Sequence, residues 1–216
     1  MTDPVPAVGY HDVHLREDPA REVVWRVIAE YLSPWVRPAD HVLEIGAGYC
    51  QWINAVTAAR RVAIDVWADF PRYAAPGVET HVMDAAQVDS FGASRFDVVL
   101  ASNVLEHFAP DAVPDLVGRI GAVLKPQGRL LIVQPNFKYA YREYFDDYTH
   151  RSVFTHVSLM ALLRAQGFAI ETCVPRFLPY SMRETRVPVR AWLVRAYLRS
   201  PIKPFAGQMM VAARKR

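Results

Sequence analysis

The sequence predicts an α/β protein built on a mostly parallel sheet of seven strands, with helices on both faces. Short apolar runs alternate with helical stretches from residue 41 onward, a pattern typical of strands joined by crossover helices. Polar residues close several of these runs, at the strand ends where parallel sheets bind their ligands. The predicted strands are 41–45, 61–65, 78–82, 96–101, 128–134, 168–174 and 207–213, and the predicted helices are 50–60, 68–74, 111–124 and 155–166.

Residues 1–40 are predicted to form a helical cap beside the sheet. Asp18 can cap the first turn of a helix and Pro19 suits that turn, after which apolar residues recur at helical spacing. His11 and His14 precede this helix, but stable metal sites need three or four ligands and no third ligand lies nearby. No metal site is therefore predicted.

Length and composition indicate one domain, 1–216, because 52% hydrophobic content is enough to bury a substantial core. No apolar run reaches the roughly eighteen residues of a membrane span, and the start of the chain lacks the pattern of a signal peptide. Cys50 and Cys173 are far apart and have no CxxC spacing. These observations predict a cytoplasmic protein, since unpaired cysteines suit a reducing compartment.

Basic residues are concentrated near the C-terminus. Residues 176–216 carry a net charge of +9, which leaves −6 for the rest of a chain whose net charge is +3. The predicted insertion 176–206 contains an amphipathic helix with arginines beside an aromatic and apolar face. This face consists of Val189, Trp192, Leu193, Ala196 and Tyr197. This helix suits a capping role, a cover for a substrate cavity, a dimer contact or peripheral membrane contact through 183–206. Arg183 and Arg186 are candidates to pair with a phosphate of the substrate.

The segment Glu44-Ile45-Gly46-Ala47-Gly48 follows the first predicted strand and predicts a tight turn into a helix. It matches half of a dinucleotide-binding fingerprint, but Gln51 replaces the third glycine, which argues against an NAD-dependent oxidoreductase. Glu44 would repel a pyrophosphate and suits a ligand that carries an ammonium or a sulfonium. Asp65 lies 19 residues after Gly46, where a carboxylate can accept both hydroxyls of a ribose.

Together with later segments, this pattern resembles the class I S-adenosylmethionine-dependent methyltransferases. Asp84-Ala85 is similar to the family's adenine-bracketing pair, Ser102 to Phe108 to its N-x-x-E-H segment, and Lys125 to Gly128 to its turn before the fifth strand. The resemblance implies a Rossmann-like fold with an antiparallel last strand, a cofactor-binding half at 41–135 and a substrate-facing half at 136–216. It implies S-adenosylmethionine as cofactor, bound by Glu44, Gly46, Ala47, Gly48, Asp65, Val66, Asp84, Ala85 and Asn103.

Two histidines are candidates for a catalytic base, because the unperturbed pKa of histidine, about 6.5, lies close to neutral pH. His107 follows Asn103 by one helical turn, and His150 closes the tyrosine-rich segment 136–150, which resembles the family's substrate-facing insertion. Structural roles are open for both histidines, and Glu106 is expected to be structural. The tyrosines suit either an aromatic or sugar acceptor or packing of the insertion onto the domain.

The sequence thus predicts a methyltransferase, with O-methylation of a small molecule or of a glycan-linked or lipid-linked intermediate as the reaction. Two alternatives stay open: N-methylation of a small amine, and a catalytically silent cofactor-binding partner protein. Nucleic acid is not an expected partner, because the cofactor-binding half is net acidic and contains no recognised RNA-binding module.

Overall fold

A computed structural model describes residues 18–180 and 189–216 of the chain. His11, His14, Arg183 and Arg186 lie outside the described residues, as do parts of the predicted cap 1–40 and of the insertion 176–206.

One seven-stranded sheet forms the centre of the molecule, as predicted. Its order is β3-β2-β1-β4-β5-β7-β6, and only β7 runs antiparallel to its neighbours. The strands are β1 (His41–Ile45), β2 (Arg60–Asp65), β3 (Val78–Val82), β4 (Phe96–Ser102), β5 (Leu124–Pro135), β6 (Phe168–Val174) and β7 (Gln208–Lys215). β5 starts earlier than predicted because Leu124 already pairs with Phe96, before a register shift.

The strand order reverses between β1 and β4. The chain runs outward from β1 through β2 to the edge strand β3, and then returns to place β4 on the other side of β1. The connections that leave the carboxyl ends of β1 and β4 therefore diverge, and a crevice opens between them. Glu44 and Asn103 lie at this position, at the ends of the two strands.

Helices cover both faces of the sheet. They are α1 (Pro19–Leu32), α2 (Gln51–Ala55), α3 (Val113–Val123), α4 (Phe137–Ala140), α5 (His156–Ala165) and α6 (Ala191–Arg199). α1 begins as predicted, with the Asp18 side chain accepting a hydrogen bond from the Ala20 N–H at 2.8 Å. The helix predicted at 50–60 is shorter in the structure, because Val56 is extended and the chain then enters β2. The predicted helix 68–74 is a short 3-10 turn, Phe70–Tyr73.

Two apolar layers lie on opposite faces of the sheet, and β1 shows how the sequence divides between them. Leu43 and Ile45 belong to one layer, whereas Val42 belongs to the layer that also contains α1 and α2. Because successive side chains of a strand point to opposite faces, Glu44 shares the face of Val42. This alternation directs the Glu44 carboxyl group towards α2.

α6 packs against α1, an arrangement that suits the capping role among those left open for the basic amphipathic helix. Leu198 is its buried residue, and Arg195 forms a 2.7 Å ion pair with Glu30 of α1. Trp192 and Ala196 of the predicted apolar face are exposed. The contacts with α1 select the packed face, which the helical periodicity alone did not identify. Within the described residues, no helix is long and apolar enough to cross a membrane.

Candidate active site

A cavity opens at the carboxyl ends of β1, β2, β3 and β4, where the strand order reverses. Every residue predicted to bind the cofactor lines this cavity: Glu44, Gly46, Ala47, Gly48, Asp65, Val66, Asp84, Ala85 and Asn103. The predicted convergence of four strand ends on one crevice is therefore confirmed. The individual binding roles of these residues stay predictions.

The turn after β1 needs glycine at its first position. Gly46 has a φ of 70°, and a Cβ at this residue would lie 2.6 Å from Val104 Cγ2. The N–H groups of Gly46 and Ala47 both donate to the Ile64 carbonyl, at 2.9 and 3.1 Å. These bonds tie the turn to the end of β2 and keep its backbone at the cavity wall.

Asp65 completes the attachment of this turn. Its Oδ2 accepts a 2.8 Å hydrogen bond from the Gly48 N–H, and its Oδ1 accepts a 2.9 Å bond from the Trp67 N–H. A carboxylate has about four acceptor sites, so each oxygen can accept one further hydrogen bond from a ligand in the cavity. Asp65 therefore shapes the glycine turn and keeps acceptor capacity at the cavity wall.

Glu44 is almost fully buried, and its Oε2 accepts a 3.0 Å hydrogen bond from the Ile53 N–H of α2. Burial raises the pKa of Glu44 well above its usual value, and the nearby Asp65 carboxylate raises it further. The pKa of the buried Cys50 thiol is raised to about 12, first by burial and then by the same two acids. The inner end of the cavity is thus electrostatically suited to a cation.

Residues of α1 also line the cavity, and the sequence analysis missed them. Arg21 and Trp25 are four residues apart, so they lie on one face of the helix. Tyr49 lines the cavity as well, with its ring centroid 5.2 Å from that of Trp67 and 4.7 Å from that of Tyr73. Helical spacing identified α1 but not the ligand-facing side, because Trp25 suits a core position equally well.

His107 lines the end of the cavity next to Asn103, together with Thr149. Its Nδ1 lies 2.9 Å from Thr149 Oγ1, and this hydroxyl donates to Asp147 Oδ1 at 2.5 Å. Since the hydroxyl hydrogen is used for Asp147, Thr149 accepts the Nδ1–H of His107. Neutral His107 therefore has its lone pair on Nε2.

His150 lies behind His107 and does not line the cavity, although its ring centroid is only 5.0 Å from that of His107. Its Nδ1 is 2.6 Å from the carbonyl oxygen of Tyr144, which can only accept, so Nδ1 carries the hydrogen. The N–H groups of Arg151 and Ser152 donate to the Glu106 carbonyl, at 2.8 and 3.0 Å. These two bonds bring the distant His150 beside the loop that follows β4.

The Glu106 side chain is fully buried between these histidines and the insertion. Neither of its carboxyl oxygens has a hydrogen-bond partner among the described residues, and burial raises its pKa to about 8. The expected structural role accounts for its backbone carbonyl but not for its carboxyl group. In the insertion, Tyr144 is buried whereas Tyr148 is exposed, so the tyrosines divide between packing and surface positions.

A family model described as a methyltransferase domain matches residues 17–172. No curated protein sequence matches the chain. The model spans well over half of the 216 residues, and the site lies within it. The chain therefore belongs to the class I S-adenosylmethionine-dependent methyltransferases, and its cofactor is S-adenosylmethionine.

Solved methyltransferase structures share the fold. A SAM-dependent methyltransferase from Archaeoglobus fulgidus is 17% identical with a TM-score of 0.65, over 88% of this chain and 94% of that chain. A methyltransferase of Haloferax volcanii, in complex with the activator Trm112, is 13% identical with a TM-score of 0.69, over 90% of each chain. The Burkholderia thailandensis 1,6-didemethyltoxoflavin-N1-methyltransferase, with S-adenosylhomocysteine bound, is 24% identical with a TM-score of 0.60. The match covers 96% of this chain and 84% of that chain.

Proposed function

We propose that this methyltransferase transfers a methyl group to a hydroxyl oxygen of a small molecule or of a glycan-linked or lipid-linked intermediate. The observation that carries the proposal is the cluster of Glu106, His107 and His150 at one end of the cavity. Methylation of a hydroxyl requires removal of its proton, whereas a neutral amine can attack without such help. A cluster of proton-accepting groups beside the cavity therefore favours an oxygen acceptor.

The cofactor's proposed position follows from the chemistry of the cavity wall. Asp65 accepts hydrogen bonds from the ribose hydroxyls, Asp84 and Ala85 border the adenine, and Glu44 faces the positively charged part of the cofactor. When bound, S-adenosylmethionine supplies an activated methyl group on a cationic sulfur that leaves as a neutral thioether. The protein has mainly to hold the acceptor in line with that methyl group.

The acceptor is proposed to enter at the end of the cavity formed by Asn103, His107 and Thr149. As the acceptor oxygen bonds to the methyl carbon, its proton passes to the histidine cluster. Nε2 of His107 is the suitable atom, because Nδ1 already donates to Thr149. The hydrogen bond from His107 to Thr149, whose hydroxyl in turn donates to Asp147, also holds the imidazole in one orientation.

N-methylation of a small amine is the second candidate. The Burkholderia thailandensis relative is named as an N1-methyltransferase, and the acidic residues around the cavity would favour a basic acceptor. The Haloferax volcanii relative is described in complex with an activator, so a protein partner is an option for this chain too. A catalytically silent protein would bind the cofactor without turnover.

Calorimetry and a methyl-transfer assay test these proposals. S-adenosylhomocysteine should bind and NADH should not, and labelled methyl groups should pass to hydroxyl compounds in preference to amines. His107→Ala should lower turnover by about 10²–10⁴-fold, the usual contribution of a general base. His150→Ala should lower turnover less, because its ring lies behind that of His107, and both variants should keep nearly unchanged cofactor affinity. His81→Ala, on the surface of β3, serves as the control. Unchanged turnover in both cluster variants would assign those histidines a structural role.

A further inference from the structure

Three potential metal ligands from two distant parts of the sequence meet beside the cavity. Glu106 and His107 belong to the loop after β4, and His150 closes the insertion after β5. One ligand atom from each of these side chains lies within 4.8 Å of the other two. No metal site was predicted from the sequence, where only His11 and His14 were considered as ligands; His107 and His150 are 43 positions apart.

Hydrogen bonds orient both imidazoles in the way that metal ligands require. Nδ1 of His107 donates to Thr149 Oγ1 at 2.9 Å, and Nδ1 of His150 donates to the Tyr144 carbonyl at 2.6 Å. Metal-binding histidines usually donate their other ring N–H to such an oxygen, which sets the tautomer and strengthens the ligand. In both rings the lone pair is consequently on Nε2.

Glu106 is a second, independent indication of a ligand. Its carboxyl group is fully buried, and neither oxygen has a hydrogen-bond partner among the described residues. A buried acid without partners is destabilising unless a proton or a cation neutralises it. Asp147 adds negative charge nearby, since its Oδ2 lies 3.9 Å from Nε2 of His150.

We propose that Glu106, His107 and His150 bind a divalent transition-metal ion at the acceptor end of the cavity. Bonds of about 2.1 Å to one ion allow ligand atoms to be at most about 4.2 Å apart. The observed limit of 4.8 Å therefore requires only a small contraction of the side chains when the ion binds.

The ligand set selects the class of ion. Two imidazole nitrogens with one carboxylate suit zinc, manganese, iron or cobalt, whereas calcium and magnesium prefer oxygen ligands. Three protein ligands leave at least one coordination position for another molecule. His107 lines the cavity, so we place that position on the cavity side of the ion.

The catalytic role of the ion rests on the proposed O-methylation, whereas the binding of the ion does not depend on that reaction. A hydroxyl group bound to a divalent ion loses its proton at a much lower pH than a free hydroxyl group. With an ion bound, Nε2 of His107 would be a ligand rather than the base, and the hydroxyl acidified by the ion would release its proton to solvent. The ion would also hold the acceptor oxygen in place.

The test is direct metal binding by the whole chain after treatment with a chelator. Calorimetry with Zn²⁺ and visible absorption with Co²⁺ should detect one site, without cofactor or acceptor. Glu106→Gln and His150→Ala should each weaken binding by at least about tenfold, the loss seen when even the outer partners of a metal ligand are removed. Both variants should keep the circular dichroism spectrum of the unchanged protein. If one of them fails to fold, the other is sufficient for the test.

Control variants exclude binding elsewhere on the chain. His81→Ala, whose ring pairs with Glu79 at the surface, and the double variant His11→Ala with His14→Ala should keep the site intact. Lack of binding, or equal binding by Glu106→Gln and the unchanged protein, would overturn the metal site. If Zn²⁺ binds as expected but no hydroxyl acceptor is methylated, the proposed reaction fails and the site stands. If methyl transfer persists at full rate in excess chelator, the reaction stands and the catalytic role of the ion fails.

Discussion

Replacement of Asp65 by alanine tests the cofactor site most directly. Each oxygen of this carboxylate already accepts one backbone N–H, from Gly48 at 2.8 Å and from Trp67 at 2.9 Å, and can accept one more bond. Hydrogen bonds to a charged group typically contribute about 1.5–3 kcal/mol. We expect Asp65→Ala to weaken binding of S-adenosylhomocysteine by about 1–3 kcal/mol, roughly 5- to 150-fold, as measured by isothermal titration calorimetry.

The control for this prediction is Asp97→Ala. Asp97 also accepts a backbone N–H at a strand end, from His41 at 2.8 Å, and pairs with Lys125 at 2.7 Å, but it lies at the amino end of β4. Both variants should lower the melting temperature, because each leaves a backbone N–H without its acceptor. Only Asp65→Ala should lower cofactor affinity, so equal affinities in the two variants would refute the ribose assignment.

The remaining predictions concern the glycine turn, the buried thiol and the C-terminal surface. Gly46→Ala should lower the melting temperature in scanning calorimetry more than Gly48→Ala. Both glycines have positive φ, but only a Cβ at Gly46 would clash, at 2.6 Å from Val104 Cγ2. Equal shifts in the two variants would contradict this prediction. Burial raises the pKa of the Cys50 thiol to about 12, so little reactive thiolate is present from about pH 7 to about pH 9. Mass spectrometry should therefore detect negligible iodoacetamide labelling of Cys50 in the folded protein over this range. Rapid labelling would disprove the burial of Cys50. The protein should co-sediment with anionic vesicles through Ile202 and Phe205, which are 79% and 89% exposed, and serine at both positions should abolish this binding. Vesicle binding that survives both substitutions would exclude this surface.

The sequence predicted the elements of the cofactor site because the relevant signals are local. An apolar run that ends in Glu44 and a glycine pair indicates a strand and a tight turn regardless of the rest of the fold. The same reasoning located Asp65, Asp84 and Asn103, since each ends a strand or follows one within two residues. Parallel strands place their carboxyl ends at one edge, so these local patterns were sufficient to predict one shared crevice.

Helix lengths and faces were harder to predict from the sequence. Helical spacing continues past Ala55, yet the chain must turn back there to enter β2 beside β1. Likewise, the sequence indicated an apolar face on α6 but not its partner, and only the packing of Leu198 and the pairing of Arg195 with Glu30 show that the helix lies against α1. Such choices depend on neighbours that are distant in the sequence.

By itself, the sequence determined the class of fold, the cofactor and the strand ends that line the cavity, because strand periodicity and glycine turns are properties of neighbouring residues. Only the tertiary structure decided that Glu106, His107 and His150 form one cluster. The bonds of Arg151 and Ser152 to the Glu106 carbonyl bring the insertion against the loop after β4. A contact between segments so far apart has no periodicity in the sequence, and it exists only once the sheet has placed both loops at the same edge.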